Sequence, residues 1–321
     1  MDYPFEQALL PLLEGCSADQ LQRDAQAISE NYRLRTGTGK RLLTREGEAA
    51  AYAAARMPAT YAAARAALES ALEAGGEAYR TLLDCGAGTG AVSFAADSLL
   101  ELEEITCLER EAAMRSVGSY LTAQQGGALG AALWKEWDLT QEAPLPQAQL
   151  VCEGYMLGEL REDMRLLAAR RLYDAAQEMV LFIEPGTPQG FENLRAVRRM
   201  LTEQGAYVAA PCPKDTPECP MAGEDWCHFA VRVQRSRLHK SLKGGQAPYE
   251  DEKFAYLALM KRPPAAPCCA RVLRHPLIAP GRITLTICEG GKKVMRAVTK
   301  KDPLWKRARK IGAGDGIFAG E

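Results

Sequence analysis

Leu82-Leu83-Asp84-Cys85-Gly86-Ala87-Gly88-Thr89-Gly90 is the stretch that decides the fold. An apolar run carrying one acid passes into three alternate glycines, and a helical pattern follows. Glycine has no Cβ, so such a turn lets backbone amides approach a ligand closely. The spacing Asp-x-Gly-x-Gly-x-Gly is a nucleotide-type loop with an acid inside the preceding strand. Downstream, short apolar runs alternate with helical patterns, as in a parallel sheet covered on both faces. The predicted strands are Thr81–Cys85, Glu104–Glu109, Leu133–Leu139, Ala148–Glu153 and Glu178–Glu184. A helix is expected from Phe191 to near Gly205. Further strands are expected at Phe229–Val233, Ile283–Cys288 and Lys293–Val298, the last two joined by a Glu289-Gly290-Gly291 hairpin turn. Phe254–Met260 reads equally as strand or helix. Upstream, alanine-rich stretches at 49–56 and 61–68 have high helical propensity, with Pro58 separating two helices and Gly75-Gly76 forming a boundary.

Two further acids stand at strand ends. Glu109 lies about 20 residues past the glycines, the usual distance to a ribose-binding acid, and Asp138 follows the third predicted strand. The motif resembles motif I of class I S-adenosylmethionine-dependent methyltransferases. That resemblance implies a cofactor site on Asp84, Gly86, Gly88 and Gly90, with Glu109 at the ribose and Asp138 at the adenine. A nicotinamide oxidoreductase fits less well, because it uses no acid before the glycines. The fourth strand ends in Cys152-Glu153-Gly154-Tyr155, at the edge where a parallel sheet places reactive groups. Glu153 and Tyr155 are the candidate catalytic positions, as groups that orient a substrate; Cys152 reads as a small core residue.

The net charge of −1 hides an asymmetry. Residues 1–231 carry 20 Lys and Arg against 34 Asp and Glu, whereas residues 232–310 carry 20 against 5. A basic C-terminal third on an acidic body suggests a polyanion-binding face, since neutralising phosphates releases counterions. The first basic run holds Arg232, Arg235, Arg237, His239, Lys240 and Lys243. The second surrounds Trp305 with Lys300, Lys301, Lys306, Arg307, Arg309 and Lys310. Arg and Lys beside an aromatic residue suit RNA. No apolar run approaches the ~20 residues a membrane span requires. The opening residues resemble neither a secretory signal nor a transit peptide, so a bacterial-type cytoplasm is expected.

Ten cysteines in that reducing setting point to metal binding more than to disulfides. Cys212, Cys219 and Cys227 share a loop with four prolines, which limit the entropy lost when thiolates converge. Cys268, Cys269 or Cys288 supplies a fourth ligand. Cys288 is favoured because it ends a strand beside a Gly-Gly turn. Four thiolates satisfy one zinc or one cubane cluster. The Cys-Pro pairs at 212–213 and 219–220 tilt the choice to iron–sulfur, while His228 would also serve zinc.

The chain also resembles the methyltransferase-like small-ribosomal-subunit proteins of mitochondria and their bacterial homologues. Four phrases carry this: Arg56-Met57-Pro58-Ala59-Thr60-Tyr61, Ile183-Glu184-Pro185-Gly186-Thr187-Pro188, Asp225-Trp226-Cys227-His228-Phe229 and Glu250-Asp251-Glu252-Lys253-Phe254-Ala255-Tyr256-Leu257. The resemblance implies a class I methyltransferase (Rossmann-like) α/β fold, association with the small ribosomal subunit or its rRNA, and a [4Fe–4S] site on Cys212, Cys219, Cys227 and Cys288. The expected organisation is a helical region at 1–76, a cofactor-binding domain at 77–206, and a cysteine-loop and basic RNA-binding region at 207–321. The expected function is rRNA methylation or an assembly or translation role. The alternative is a non-catalytic, redox- or iron-sensing RNA-binding assembly factor.

Overall fold

The computed structural model describes residues 3–14, 20–21, 23, 46–76, 78–138, 143–214, 216, 218–221, 225–236, 238–240 and 247–320. Arg237 and Lys243 of the first basic run lie outside these residues. Five parallel strands form the centre: β1 (Thr81–Cys85), β2 (Glu104–Glu109), β3 (Leu133–Glu136), β4 (Ala148–Gly154) and β5 (Ala176–Pro185). Leu82 to Cys85 are all buried, because helices cover both faces of this sheet and no alternation with polar residues is needed. β3 stops three residues before its predicted end, so Asp138 lies just beyond the strand.

Three antiparallel strands complete the sheet: β6 (Tyr207–Ala210), β7 (Phe229–Gln234) and β8 (Tyr249–Met260). The order is β3-β2-β1-β4-β5-β8-β6, with β7 also on β8. The undecided segment is thus a strand. Every residue from Phe254 to Met260 is buried, which removes the alternation that would have marked it. The central sheet therefore draws strands from both sides of residue 206.

Helix α1 is Glu6–Leu13 and α2 is Glu46–Gly75. Pro58 lies inside α2 and does not separate two helices, a correction to the sequence reading. A proline in a helix interior costs about 3 kcal/mol. Here it is offset by burial of sixteen residues of α2 against α1, two later helices and β5 to β8. Most of these are alanines, which allow close approach to the sheet. The later helices are α3 (Ala91–Asp97), α4 (Ala112–Ala123), α5 (Glu162–Ala175) and α6 (Pro188–Glu203). α6 starts ahead of Phe191 because Thr187 caps it: its hydroxyl accepts from the Gly190 amide at 3.1 Å, and Pro188 occupies the first turn.

A second, antiparallel sheet holds β9 (Ala270–Val272), β10 (Leu277–Ala279), β11 (Arg282–Glu289), β12 (Lys292–Thr299) and β13 (Gly316–Ile317). The Gly290-Gly291 turn forms as expected: Glu289 pairs with Lys292, and the glycines have φ of 55° and 73°. Positive φ at both central residues marks the type I′ hairpin. Ile283, Leu285, Ile287 and Val298 pack inward with Ile311 and Ile317. Buried Arg271 joins this sheet to the rest: its guanidinium donates to the Pro211 carbonyl at 2.8 Å, the Ser70 hydroxyl at 3.0 Å and the Gly314 carbonyl at 2.9 Å.

Candidate functional site

The strand order reverses between β1 and β4, and this opens a crevice at the carboxyl ends of the parallel strands. The glycine loop and the loop after β4 meet there, with Cys85 in register with Glu153. Gly86, Gly88 and Gly90 have φ of 70°, 56° and 91°, a backbone region that side chains with a Cβ seldom adopt. A Cβ on Gly86 would also come within 2.8 Å of Met156.

The acids near this loop are hydrogen-bonded to it or to the helix that follows it. Asp84 Oδ2 accepts from the Ser93 amide at 3.1 Å and its hydroxyl at 2.7 Å, tying β1 to α3. Its buried Oδ1 has no partner among the described residues. Burial pushes the Asp84 carboxyl up to about 7. Glu109 accepts from the Gly88 amide at 2.8 Å and the Glu111 amide at 2.7 Å. Each carboxylate oxygen retains a second lone pair, so the group that shapes the loop can still receive a ribose hydroxyl.

Glu153 is fully buried and turned to its own loop, accepting from the Met156 amide at 3.1 Å. Glu184, missed as a site residue although it ends a predicted strand just as Glu109 and Glu153 do, stands beside Glu153. It accepts from the Gly158 amide and the Asn193 side chain, both at 3.2 Å. Burial and then the Glu184 charge hold Glu153 well above the carboxylate range, and burial takes Glu184 up to about 7. Tyr155 is the sole non-glycine residue with positive φ, 63°, among those described. Its hydroxyl lies 3.3 Å from Glu252 Oε1, which also receives Arg56 at 3.3 Å. Such backbone strain persists where its surroundings impose it.

The cysteine loop arises from the sheet edge. β6 pairs with β8 at Ala258–Met260 and β7 pairs at Tyr249–Phe254. The chain between them leaves that edge, and Ala255 and Tyr256 line a cavity that is partly open to solvent. Cys212, Cys219, Cys227 and Cys288 all line it, together with Arg198 and Arg271; Cys268 and Cys269 do not. Burial first, and then the neighbouring sulfurs, push Cys227 far up and Cys288 up to about 12. Among the described residues, no three His, Cys, Asp or Glu side chains are grouped so as to hold a metal ion. The four thiols share a cavity without meeting at one point. Trp226 donates to the Gly186 carbonyl at 3.0 Å and fixes the loop to the end of β5.

The first basic run is partly neutralised by β8. Arg232 pairs with Asp251 at 3.2 Å, Arg235 with Glu250 at 2.6 Å, and His239 stands 3.4 Å from Glu250. Trp305 packs against the core of the second sheet. Among the described residues, no helix is long and apolar enough to cross a membrane.

The chain is similar in structure to magnesium protoporphyrin IX methyltransferase from Synechocystis, at 10% identity and TM-score 0.40, covering 78% of this chain and 99% of that one. It is similar also to precorrin-6y C5,15-methyltransferase from Geobacter metallireducens, at 14% identity and TM-score 0.41, covering 60% and 87%. In sequence it is 26% identical over 262 residues to the human mitochondrial ribosome assembly protein METTL17, across 76% of this chain and 56% of that protein. The chain thus spans about half the length of this curated relative. The family model described as mitochondrial small ribosomal subunit Rsm22 matches residues 46–318, and the chain belongs to that family.

Proposed function

We propose that this chain is an S-adenosylmethionine-binding, methyltransferase-like protein that acts with the small ribosomal subunit or its rRNA, in assembly or in methylation. The observation that carries the reading is the positive-φ glycine loop at the strand-order reversal, in a chain of a small-subunit family. The cofactor, when bound, supplies an electrophilic methyl group. The chain's part is to present the amides of Gly86–Gly90, to receive the ribose on Glu109 and the adenine near Asp138, and to admit an acceptor beside Tyr155. Positioning of that kind contributes most where no base acts. The proposed organisation keeps 1–76, 77–206 and 207–321 as segments, in a cytoplasmic setting; the named relative is mitochondrial.

A second reading, a non-catalytic assembly factor, is favoured by Glu153. This candidate is buried, tends to keep its proton and points into its own loop. Equilibrium binding of radiolabelled cofactor, followed by transfer assays on small-subunit RNA, separates the two. Binding with transfer supports the enzyme, and binding without transfer supports the assembly factor. Absence of binding, also after Gly88→Ala is shown to behave like the parent, ends the cofactor proposal.

The proposal includes a [4Fe–4S] cluster on Cys212, Cys219, Cys227 and Cys288. In its favour is the convergence of these four thiols on one cavity beside two arginines. Each ligand of a cubane binds its own iron, so the donors are spaced more widely than around a single zinc. Thiols that hinder one another's ionisation need a cationic core to become ligands. Anaerobic purification should yield a brown protein with about four irons, lost in Cys227→Ser. A colourless protein with one zinc would reassign the centre.

A further inference from the structure

The strand pleat divides the second sheet into a closed face and an open one. Opposite its core lie Leu277 and Ala279 on β10, Arg282, Thr284 and Thr286 on β11, and Met295, Ala297 and Thr299 on β12. Cross-strand pairing aligns Leu277 with Thr284 and Ala297, and Thr286 with Met295. Among the described residues, the cysteine loop covers only the end of this face at Cys288, where Asp225 pairs with Lys293 and Arg274. Beyond that end the face is bare of the described residues: Leu277 is 64% and Met295 68% exposed.

Charge surrounds it. Residues 277–310 hold ten Lys and Arg against Glu289 and Asp302 alone. Lys292, Lys300, Lys301, Lys306, Arg309 and Lys310 are exposed, whereas Arg232 and Arg235 of the first basic run are paired with β8 carboxylates. The bare face carries hydroxyls and small or flexible apolar groups and no aromatic ring. A single-stranded nucleic acid wants aromatic stacking platforms, and the half-buried Trp305 packs against the core of this sheet and does not stand on the bare face. A flat face of threonines rimmed by cations instead matches the wide, shallow minor groove of an A-form duplex, with its 2′-hydroxyls flanked by phosphates.

We infer that this open face of the second sheet docks an RNA duplex, with Thr284, Thr286 and Thr299 against the sugar edge and Arg282, Lys300 and Lys301 on the phosphates. The inference rests on the small-subunit reading above and names where its RNA sits. Full-length protein would be titrated by fluorescence anisotropy against a short RNA duplex, the matching DNA duplex and small-subunit rRNA, over a salt series. The combined Arg282→Gln, Lys300→Gln and Lys301→Gln variant should lose about tenfold in RNA affinity. Its log K against log salt slope should flatten by about 3. Met295→Glu should weaken RNA binding similarly, Arg232→Gln should leave it within about twofold, and the RNA duplex should bind more tightly than the DNA duplex.

All substituted side chains are exposed or surface-paired, and circular dichroism confirms that each variant is folded. An unchanged slope in the triple variant would overturn this surface while leaving the small-subunit reading in place. Equal affinity for RNA and DNA duplexes would overturn the minor-groove assignment. If Met295→Glu abolishes self-association and leaves RNA affinity intact, the face joins copies of this chain and the inference fails. No binding of the parent protein to any of the three nucleic acids would remove the small-subunit RNA reading itself.

Discussion

Asp84 shows at the scale of one residue how a motif and its structural use differ. The acid before the glycines was legible from the sequence, but both hydrogen bonds it makes are to Ser93 at the start of α3. Its folded carboxyl keeps its proton to about 7, while an unfolded aspartate releases it near 4. The stability contributed is therefore fully present below about pH 4 and is lost as pH rises through 7. Asp84→Asn should make the unfolding free energy fall less steeply over that window, by on the order of 4 kcal/mol. Urea titrations at pH 4, 6 and 8 check this, and identical slopes for the two proteins would contradict it. Glu184 and Glu159, raised by burial to about 7 and about 8, add the same sign of dependence.

Among the elements, α4 and β3 meet through Gly118 and Trp134. A Cβ on Gly118 would sit 2.2 Å from the Trp134 ring, whose indole N–H donates to the Thr122 hydroxyl at 3.0 Å. Alanine gains about 1 kcal/mol over glycine in a helix, but a rigid, anchored ring cannot yield without breaking its hydrogen bond. Gly118→Ala should therefore destabilise by about 1–2 kcal/mol and red-shift tryptophan emission; a raised Tm would refute the clash. The hairpin at Gly290-Gly291 was readable because its chemistry is local. The span of α2 was not, since Pro58 is tolerated only because distant strands and helices bury the surrounding alanines.

For the whole molecule, Arg271 decides the arrangement. It ties α2 through Ser70, the cysteine loop through Pro211, and the C-terminal segment through Gly314. Tyr256 reinforces the junction with a 2.7 Å hydrogen bond to Ser70. Hydrogen bonds to a charged donor contribute about 1.5–3 kcal/mol each, and their loss leaves buried acceptors unpaired. Arg271→Met should cost about 3–5 kcal/mol in urea unfolding and open the cysteine loop to trypsin at Lys214. Arg271→Lys should recover part of the stability. Protection equal to the parent in Arg271→Met would show that the loop is held elsewhere.

The phrases that carry the family resemblance lie far apart in the chain, yet they meet in pairs: Arg56 on Glu252, and Trp226 on Gly186. The sequence by itself determined the parallel core, the glycine turn and the acids at its strand ends, because apolar runs and glycine spacing act over a few neighbouring residues. Only the tertiary structure decided which acids are spent on backbone amides, which arginines are paired, and that four distant cysteines border one cavity. Burial and charge pairing depend on side chains brought together from remote positions, and no local pattern records them.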